Sequence, residues 1–199
     1  MGLLVSVVDV LNAAHQKVLA GDTAGAAALL DRADDETRAS FMWHLARGHV
    51  ALRLGDLPRA VTLFEGAVER EPLLPEPKAN LAAALLELAK QGDQSALERA
   101  TKLLDECCGM GPKLPDSHTN LGMARLLGGD ARGALEAFDR ALQLEPRHVP
   151  ALYNRASALN ALGRLDDCLK ALDATLAVDP KFAPALTSRK NTLTKLGRG

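Results

Sequence analysis

The order of apolar and polar residues predicts pairs of amphipathic helices joined by tight turns. In residues 115–148, apolar side chains recur at helical spacing from about Pro115 to Leu127 and again from about Arg132 to Leu144. Between these segments stands Gly128-Gly129-Asp130, and glycine there supplies the left-handed residue that closes a helix. The same break occurs at Gly21-Asp22, Gly55-Asp56 and Gly163-Arg164.

Prolines mark a period in this pattern. Pro180 follows Pro146 by 34 residues, and Pro146 follows Pro72 by 74, which is 34 plus 40. A period of this size is typical of stacked helical units. The chain then divides into 7–40, 41–74, 75–114, 115–148 and 149–182, with 183–196 as the first helix of a sixth unit. We expect about eleven helices, and two longer ones in 75–114, which has six extra residues.

Small residues recur at two positions of each unit and predict close helix contacts. The eighth position of successive units holds Gly48, Ala82, Gly122 and Ala156. The matching site on the second helix holds Ala26, Ala60, Ala100, Ala134 and Cys168. One turn further come Leu30, Phe64, Leu104, Phe138 and Leu172, which we expect to fill the space between neighbouring units. A helix pair cannot bury that face alone, so the units must stack.

These residues resemble the tetratricopeptide repeat, whose motif reads W-x2-L-G-x2-Y, then A-x3-F, then P. Unit 115–148 matches it with Leu121-Gly122, Ala134-x3-Phe138 and Pro146. The departures are His44, Lys78 and His118 at the first aromatic position and Arg38 in place of the first closing proline. The resemblance implies an all-α fold, a right-handed α-solenoid, formed by residues 1–199 as a single domain with 183–196 as a capping helix.

Composition restricts the possible partners and compartments. The chain has 199 residues, 47% of them apolar and 3% aromatic, and its formal net charge is −1. Such a charge gives no reason to expect nucleic acid as a partner. No segment approaches the roughly 18–20 apolar residues that span a bilayer, so we expect no membrane insertion. Three cysteines do not form a disulfide framework, which favours a cytoplasmic protein, and the Ala, Leu, Arg and Gly content favours a bacterial one.

The sequence contains no arrangement typical of catalysis, so we expect neither an enzyme nor a cofactor. His15 and His49 occupy equivalent positions of adjacent units. Two imidazoles without a third ligand are weak evidence for a metal site, and we interpret them as residues that line a groove. We interpret Cys107 as a packing residue because its position favours a small side chain. Trp43 we interpret as a structural residue that covers the junction after the first unit.

Asparagine recurs at the sixth position, which by the resemblance faces the concave groove of the solenoid. The sixth positions are Asn12, Ala46, Asn80, Asn120, Asn154 and, in the last helix, Ser188. An amide both donates and accepts, so these side chains would be able to hold the backbone of an extended peptide. They would equally be able to support the groove without a ligand, and the sequence leaves both interpretations open.

The candidate groove is largely apolar. We predict that it is lined by Asn12, His15, Leu45, His49, Leu52, Asn80, Leu86, Asn120, Met123, Leu126, Tyr153 and Asn154. No unit has Lys at the fifth position, which excludes the family's carboxylate clamp. An apolar groove suits an amphipathic helix or an extended hydrophobic segment of a protein partner. We therefore expect an interaction adaptor. The alternative is a scaffold that forms homo-oligomers through Leu3, Leu4, Val5, Val7 and Val8. The same residues would equally be able to cap the first unit.

Overall fold

All regular secondary structure in the described part of the chain is helical. A computed structural model describes residues 7–109 and 114–198. The helices are α1 Val7–Leu19, α2 Thr23–Asp31, α3 Asp35–Ala39, α4 Phe41–Arg53, α5 Leu57–Arg70, α6 Pro75–Lys90, α7 Gln94–Gly109, α8 Pro115–Leu127, α9 Ala131–Leu144, α10 Val149–Ala161, α11 Leu165–Val178 and α12 Ala183–Lys195.

The chain forms two compact units, one ending at Leu103 and the other beginning at Leu104. In the first unit α1 packs on α2, α4 on α5 and α5 on α6, and α4 also contacts α1 and α2. In the second unit α8 packs on α9, α10 on both α9 and α11, and α11 on α12. Each unit is therefore built from neighbouring helix pairs, as the all-α solenoid fold requires. That residues 1–199 form a single domain stays a prediction.

The described residues contain twelve helices, so the expected number of about eleven is corrected by the short helix α3. The repeat pattern of the sequence indicates no helix between the second helix of the first repeat and α4. Asp34 caps α3 by accepting a hydrogen bond from the backbone N–H of Thr37 at 2.7 Å. Ser40 then ends α3 and caps α4, accepting from the N–H of Trp43 at 3.2 Å. Because Arg38 stands where later repeats have proline, the backbone can form this additional turn.

The six extra residues of the third repeat lengthen both of its helices. Helices α6 and α7 each have 16 residues, whereas the other helix pairs from the second repeat onward have first helices of 13 and second helices of 14. Gly92 sits in the turn between them with φ of +99°. Asp93 follows and accepts a hydrogen bond from the N–H of Ala96 at 2.9 Å. The prediction of two longer helices is confirmed.

Large and small side chains complement one another in the contacts within each repeat. A Cβ placed on Gly48 would stand 2.6 Å from Cε1 of Phe64, closer than real Cβ contacts occur. Gly122 stands in the same relation to Phe138. Where the eighth residue is Ala156, the facing residue is the smaller Leu172, and both lie in one buried cluster. The size of the second-helix residue thus follows the space left at the eighth position.

The same large residues also reach the next repeat, as the sequence predicted. Phe138 is fully buried and shares a cluster with Ala158 of the following repeat. Leu30 packs with Val50 in the same way. Each of these side chains therefore contributes both to its own helix pair and to the stacking of neighbouring repeats, which is why burial is complete at this position.

Trp43 covers the junction that follows the degenerate first repeat, and its predicted structural role is confirmed. The indole is half-buried against the cluster of α1, α2 and α4 side chains. Its Nε1–H donates to the carbonyl oxygen of Leu30 at 2.9 Å. This bond satisfies a donor that would otherwise be costly to bury, and it ties the end of α2 to the start of α4.

An acidic residue at one position of every repeat pairs with an arginine. The acids follow the repeat spacing of 34, 40, 34 and 34 residues, and the pairs are Asp31–Arg47, Glu65–Arg99, Asp105–Arg125, Asp139–Arg155 and Asp173–Arg189. Arg47 differs from the other arginines because its side chain is only 3% exposed. Its Nε and Nη2 donate to the two carboxylate oxygens of Asp31 at 2.8 and 3.1 Å.

Candidate functional site

An apolar pocket lies between α1 and α4, the first helices of repeats 7–40 and 41–74. This N-terminal pocket has a volume of about 280 Å³ and is lined by Leu11, Ala14, His15 and Val18 of α1, Leu30 of α2, and Ala46, His49, Val50 and Arg53 of α4. Leu30 is fully buried and lies between the two first helices. The predicted groove residues His15 and His49 are therefore brought together at one site.

A second pocket lies between α10, α11 and α12 of the second unit. This C-terminal pocket has a volume of about 180 Å³ and is lined by Ala156, Ser157, Asn160, Cys168, Leu172, Ser188, Asn191, Thr192 and Lys195. Lys195 donates from Nζ to Oδ1 of Asn160 at 3.0 Å. Ser188 is the predicted groove-facing residue of the last helix, whereas Asn160 and Lys195 are not among the predicted groove residues.

The two pockets occupy the same structural position in the repeat. Eight of the nine lining residues of one correspond to a lining residue of the other at a constant offset of 142 residues, as from Ala14 to Ala156 and from Arg53 to Lys195. The small residue, the buried leucine and the basic residue keep their character in both. Four other positions differ in the polarity of the side chain. His15, Val18, His49 and Val50 of the N-terminal pocket correspond to Ser157, Asn160, Asn191 and Thr192 of the C-terminal pocket.

His49 of the N-terminal pocket lies against an aromatic ring. The ring of His49 stands edge-on to Phe64 with the ring centroids 5.3 Å apart. Partial burial of this ring lowers the pKa of His49, and the carboxylate of Glu76 opposes the effect. A neutral imidazole is consequently favoured, which keeps this wall of the pocket uncharged near pH 7.

The predicted asparagine series is accessible in part. Asn12 is exposed, and Asn80, Asn120 and Asn154 are half-buried on α6, α8 and α10. None of these four amides forms a side-chain hydrogen bond with another residue that the structure describes. Polar side chains that are half-buried and unbonded within the chain remain available to water or to a partner.

Two of the predicted groove residues belong to the core instead. Leu45 is 8% exposed and Leu86 is 2% exposed, so neither lines an open surface. Leu45 occupies the fifth position, at the border between the groove face of a first helix and the face that packs on neighbouring helices. The packing of those neighbours therefore determines whether a residue at this position is exposed or buried. The corresponding Leu11 and Tyr153 stay half-buried, whereas Thr119 is buried.

The remaining predicted groove residues are half-buried and support the packing beneath the surface. Met123 and Leu126 pack against the cluster that contains Phe138. Tyr153 packs edge-on to Phe182 at a centroid distance of 5.3 Å, and its hydroxyl lies 3.4 Å from Oγ of Ser188. Leu52 is half-buried on α4. Apart from Leu52, these side chains have a structural role whatever else they contact.

Cys108 is not an activated thiol, and the described residues contain no candidate metal centre. Burial and the neighbouring Cys107 raise the pKa of Cys108 to about 11, which disfavours the thiolate. Cys107 is 2% exposed, as its interpretation as a packing residue requires. No group of three or more His, Cys, Asp or Glu side chains suited to a metal ion occurs within residues 7–109 and 114–198.

The apolar segments of the chain bear on membrane crossing and on self-association. No helix in the part of the chain that the structure describes is both long enough and apolar enough to cross a bilayer. Of the apolar N-terminal residues expected to cap the first repeat or to support self-association, Leu3, Leu4 and Val5 lie outside the described residues. Val7 is half-buried and Val8 is 57% exposed.

Known protein families and individual proteins resemble this chain in sequence. Sequence models of the tetratricopeptide repeat match residues 45–113 and 125–188. A rat FK506-binding protein-like protein is 38% identical over 103 residues, which is 50% of this chain and 29% of that protein. The matched region thus spans less than a third of the curated relative.

Solved structures share the fold across nearly the whole chain. The tetratricopeptide repeat protein TTC0263 of Thermus thermophilus is 22% identical with a TM-score of 0.79, covering 95% of this chain and 100% of that one. YrrB, described as a tetratricopeptide repeat protein with an unusual peptide-binding site, is 19% identical with a TM-score of 0.68, covering 93% and 92%. With both repeat segments matched and the helical fold in agreement, the chain belongs to the tetratricopeptide repeat family.

Proposed function

We propose that this protein is an interaction adaptor whose first helices bind a segment of a partner protein. The observation that carries the proposal is the pair of pockets at equivalent repeat positions, each between two first helices and each floored by a buried leucine. A pocket at this position accepts a side chain, and the two pockets would accept side chains of different polarity. The proposal assigns no enzymatic role, and it places the protein in the cytoplasm.

The asparagine amides provide the backbone contacts in this proposal. Asn80, Asn120 and Asn154 have donors and acceptors that no described residue satisfies. A partner backbone would supply both, at a net gain of about 0.5–1.5 kcal/mol for each hydrogen bond. Such bonds are independent of the partner's side chains, so selectivity falls to the pockets. YrrB shares the fold and is described as having a peptide-binding site, which supports peptide binding as the function proposed here.

A triple variant tests the proposal. Replacing Asn80, Asn120 and Asn154 with alanine truncates only half-buried side chains and slightly favours helix, so the melting temperature should change little. Capture of the partner from a lysate of the native host should fall by most of its wild-type yield. A matched control replaces three exposed residues of second helices, Glu98, Glu136 and Gln143, with alanine. Wild-type capture by the asparagine variant would contradict the proposal.

Self-association is the second candidate, favoured by exposed apolar residues on α1. Val8 is 57% exposed and Leu19 is 67% exposed. Large apolar side chains at the end of a repeat array are suited to contact another copy. Sedimentation of the purified protein at tens of micromolar separates the two functions, since a monomer at that concentration argues against a scaffold and leaves the adaptor intact.

A further inference from the structure

The N-terminal pocket combines an apolar interior with a single permanent charge. Among its lining residues only Arg53 is cationic at every physiological pH, and it is exposed at the end of α4. Its guanidinium forms no hydrogen bond or ion pair with another residue that the structure describes. The other four arginines on first helices differ: Arg47, Arg125, Arg155 and Arg189 are all paired with acids.

The equivalent pocket shows that this arrangement is not a general property of the repeat. Lys195 occupies the position of Arg53, but its ammonium group already donates to Asn160. The residue at the position of Asn160 in the N-terminal pocket is Val18, which offers no acceptor. The charge of Arg53 is therefore left beside an apolar surface with no partner among the residues that the structure describes.

We infer that the N-terminal pocket binds a peptide segment in which an aliphatic side chain stands next to a carboxylate. The inference rests on the proposed adaptor function and specifies the partner's chemistry. The pocket of about 280 Å³ holds the aliphatic group, since an apolar cavity of about 150 Å³ is enough for benzene. The carboxylate of an Asp or Glu side chain accepts a hydrogen bond from Arg53, whose planar fork suits a bidentate contact.

The surroundings of His49 favour an aliphatic occupant over a cationic or strongly polar one. The ring of His49 is held against Phe64, and with Val50 and Leu30 it presents carbon atoms to the pocket. A lysine or arginine of the partner would lie beside Arg53 and would lose hydration without gaining an acceptor. The same site thus rejects basic segments while it accepts acidic ones.

Selection from a displayed library of random twelve-residue peptides tests the inference with purified full-length protein. The wild type should enrich peptides with Asp or Glu within two residues of Leu, Ile, Val or Met. Arg53→Glu should enrich Lys or Arg beside the same aliphatic residues. Arg53→Gln should weaken a selected acidic peptide roughly three- to tenfold, as expected for a charged hydrogen bond at a partly exposed site.

Two further variants separate the two halves of the site. Val18→Phe fills part of the apolar interior without adding an acceptor for Arg53, so it should reduce the aliphatic preference while the acidic preference stays. Arg132→Glu makes the same charge change on α9, outside the residues that line either pocket, and should leave the pattern unaltered. Melting curves establish that each variant is folded.

The outcomes distinguish this inference from the proposed function. Peptides that are enriched without any acidic bias, or with the same bias in Arg53→Glu, would overturn the inference and leave the adaptor function standing. A library from which no peptide is enriched by any folded variant would contradict the adaptor function and the inference with it. Reversal of the charge preference in Arg53→Glu supports both.

Discussion

The ring of Phe138 lies directly against the backbone of Gly122, leaving no room for a Cβ on that glycine. The pair joins α8 to α9, and Phe138 is fully buried. Gly48 and Phe64 repeat the relationship two repeats earlier, with 2.6 Å between the position that a Cβ would take on Gly48 and Cε1 of the ring. Glycine mid-helix costs helix stability, and here the close approach of an aromatic ring compensates for it.

The Gly122–Phe138 contact predicts a specific pattern of stability changes. Gly122→Ala should destabilise the protein by about 1–3 kcal/mol, because the ring must shift within a packed core. Adding Phe138→Leu should recover part of that loss, since the alanine–leucine combination is the one found at Ala156 and Leu172. Urea unfolding measures both variants. Gly109→Ala is the control: its Cβ would meet nothing within 4 Å, so stability should not fall.

The contrast between Arg47 and Arg189 predicts unequal effects of removing their acids. Asp31→Asn should cost about 2–3 kcal/mol, because it leaves a buried guanidinium without its charged partner. Asp173→Asn should cost only about 0–1 kcal/mol, since Arg189 is 41% exposed at its side chain and water replaces the lost contact. Equal losses in the two variants, measured by urea unfolding, would show that burial of Arg47 does not determine the strength of the pair.

Partly buried imidazoles predict a loss of stability in mild acid. Burial lowers the pKa of His44, His49 and His118 below the ordinary value of 6.5. The unfolded chain therefore binds more protons than the folded chain between those depressed values and 6.5, so the free energy of unfolding rises with pH. Stability should be complete above pH 7 and decline as the pH falls through 6.5.

Substitution of two of these histidines isolates their contribution. His44→Gln with His118→Gln removes two imidazoles whose partial burial disfavours protonation, so the slope of stability between pH 7 and pH 5 should become shallower. His15→Gln, a change at an exposed residue, serves as the control. A slope that is the same in the double variant and the wild type would contradict the assignment.

The sequence was sufficient for the repeat frame because glycine and proline act locally. Gly129 has φ of +86° and ends α8 where the pattern placed a turn, and the extra residues around Gly92 lengthen α6 and α7 as expected. The first repeat is where these local signals were insufficient. Helix α3 depends on the caps Asp34 and Ser40, which no repeat spacing indicates.

The candidate site was harder to predict, since groove residues are defined by what packs beside them. Leu45 and Leu86 looked like lining residues by position, yet neighbouring helices bury both. The C-terminal pocket depends on Asn160 and Lys195, which stand 35 residues apart in the chain and meet only after stacking. The acids that pair with arginines do have a sequence signal, namely their constant position in the repeat.

The long third repeat predicts tolerance to a deletion. Removing residues 89–94 shortens α6 and α7 toward the length of the other pairs, and the segment consists mainly of exposed residues. We expect the circular dichroism signal and cooperative thermal unfolding to persist. Deletion of the corresponding residues 126–131 should be far more harmful, because Leu126 packs against the Phe138 cluster. Comparable loss of helicity in the two variants would show that residues 89–94 are part of the packing.

The most direct test of the account locates the partner on the surface of the protein. A photoreactive phenylalanine analogue is placed at His49 or Asn160, exposed residues of the two pockets, and at Thr62 or Glu136, exposed residues of second helices. Irradiation in a lysate of the native host is followed by mass spectrometry of the cross-linked products. The account predicts one partner cross-linked from the two pocket positions and not from the second helices. Cross-links to that partner only from Thr62 and Glu136 would contradict it.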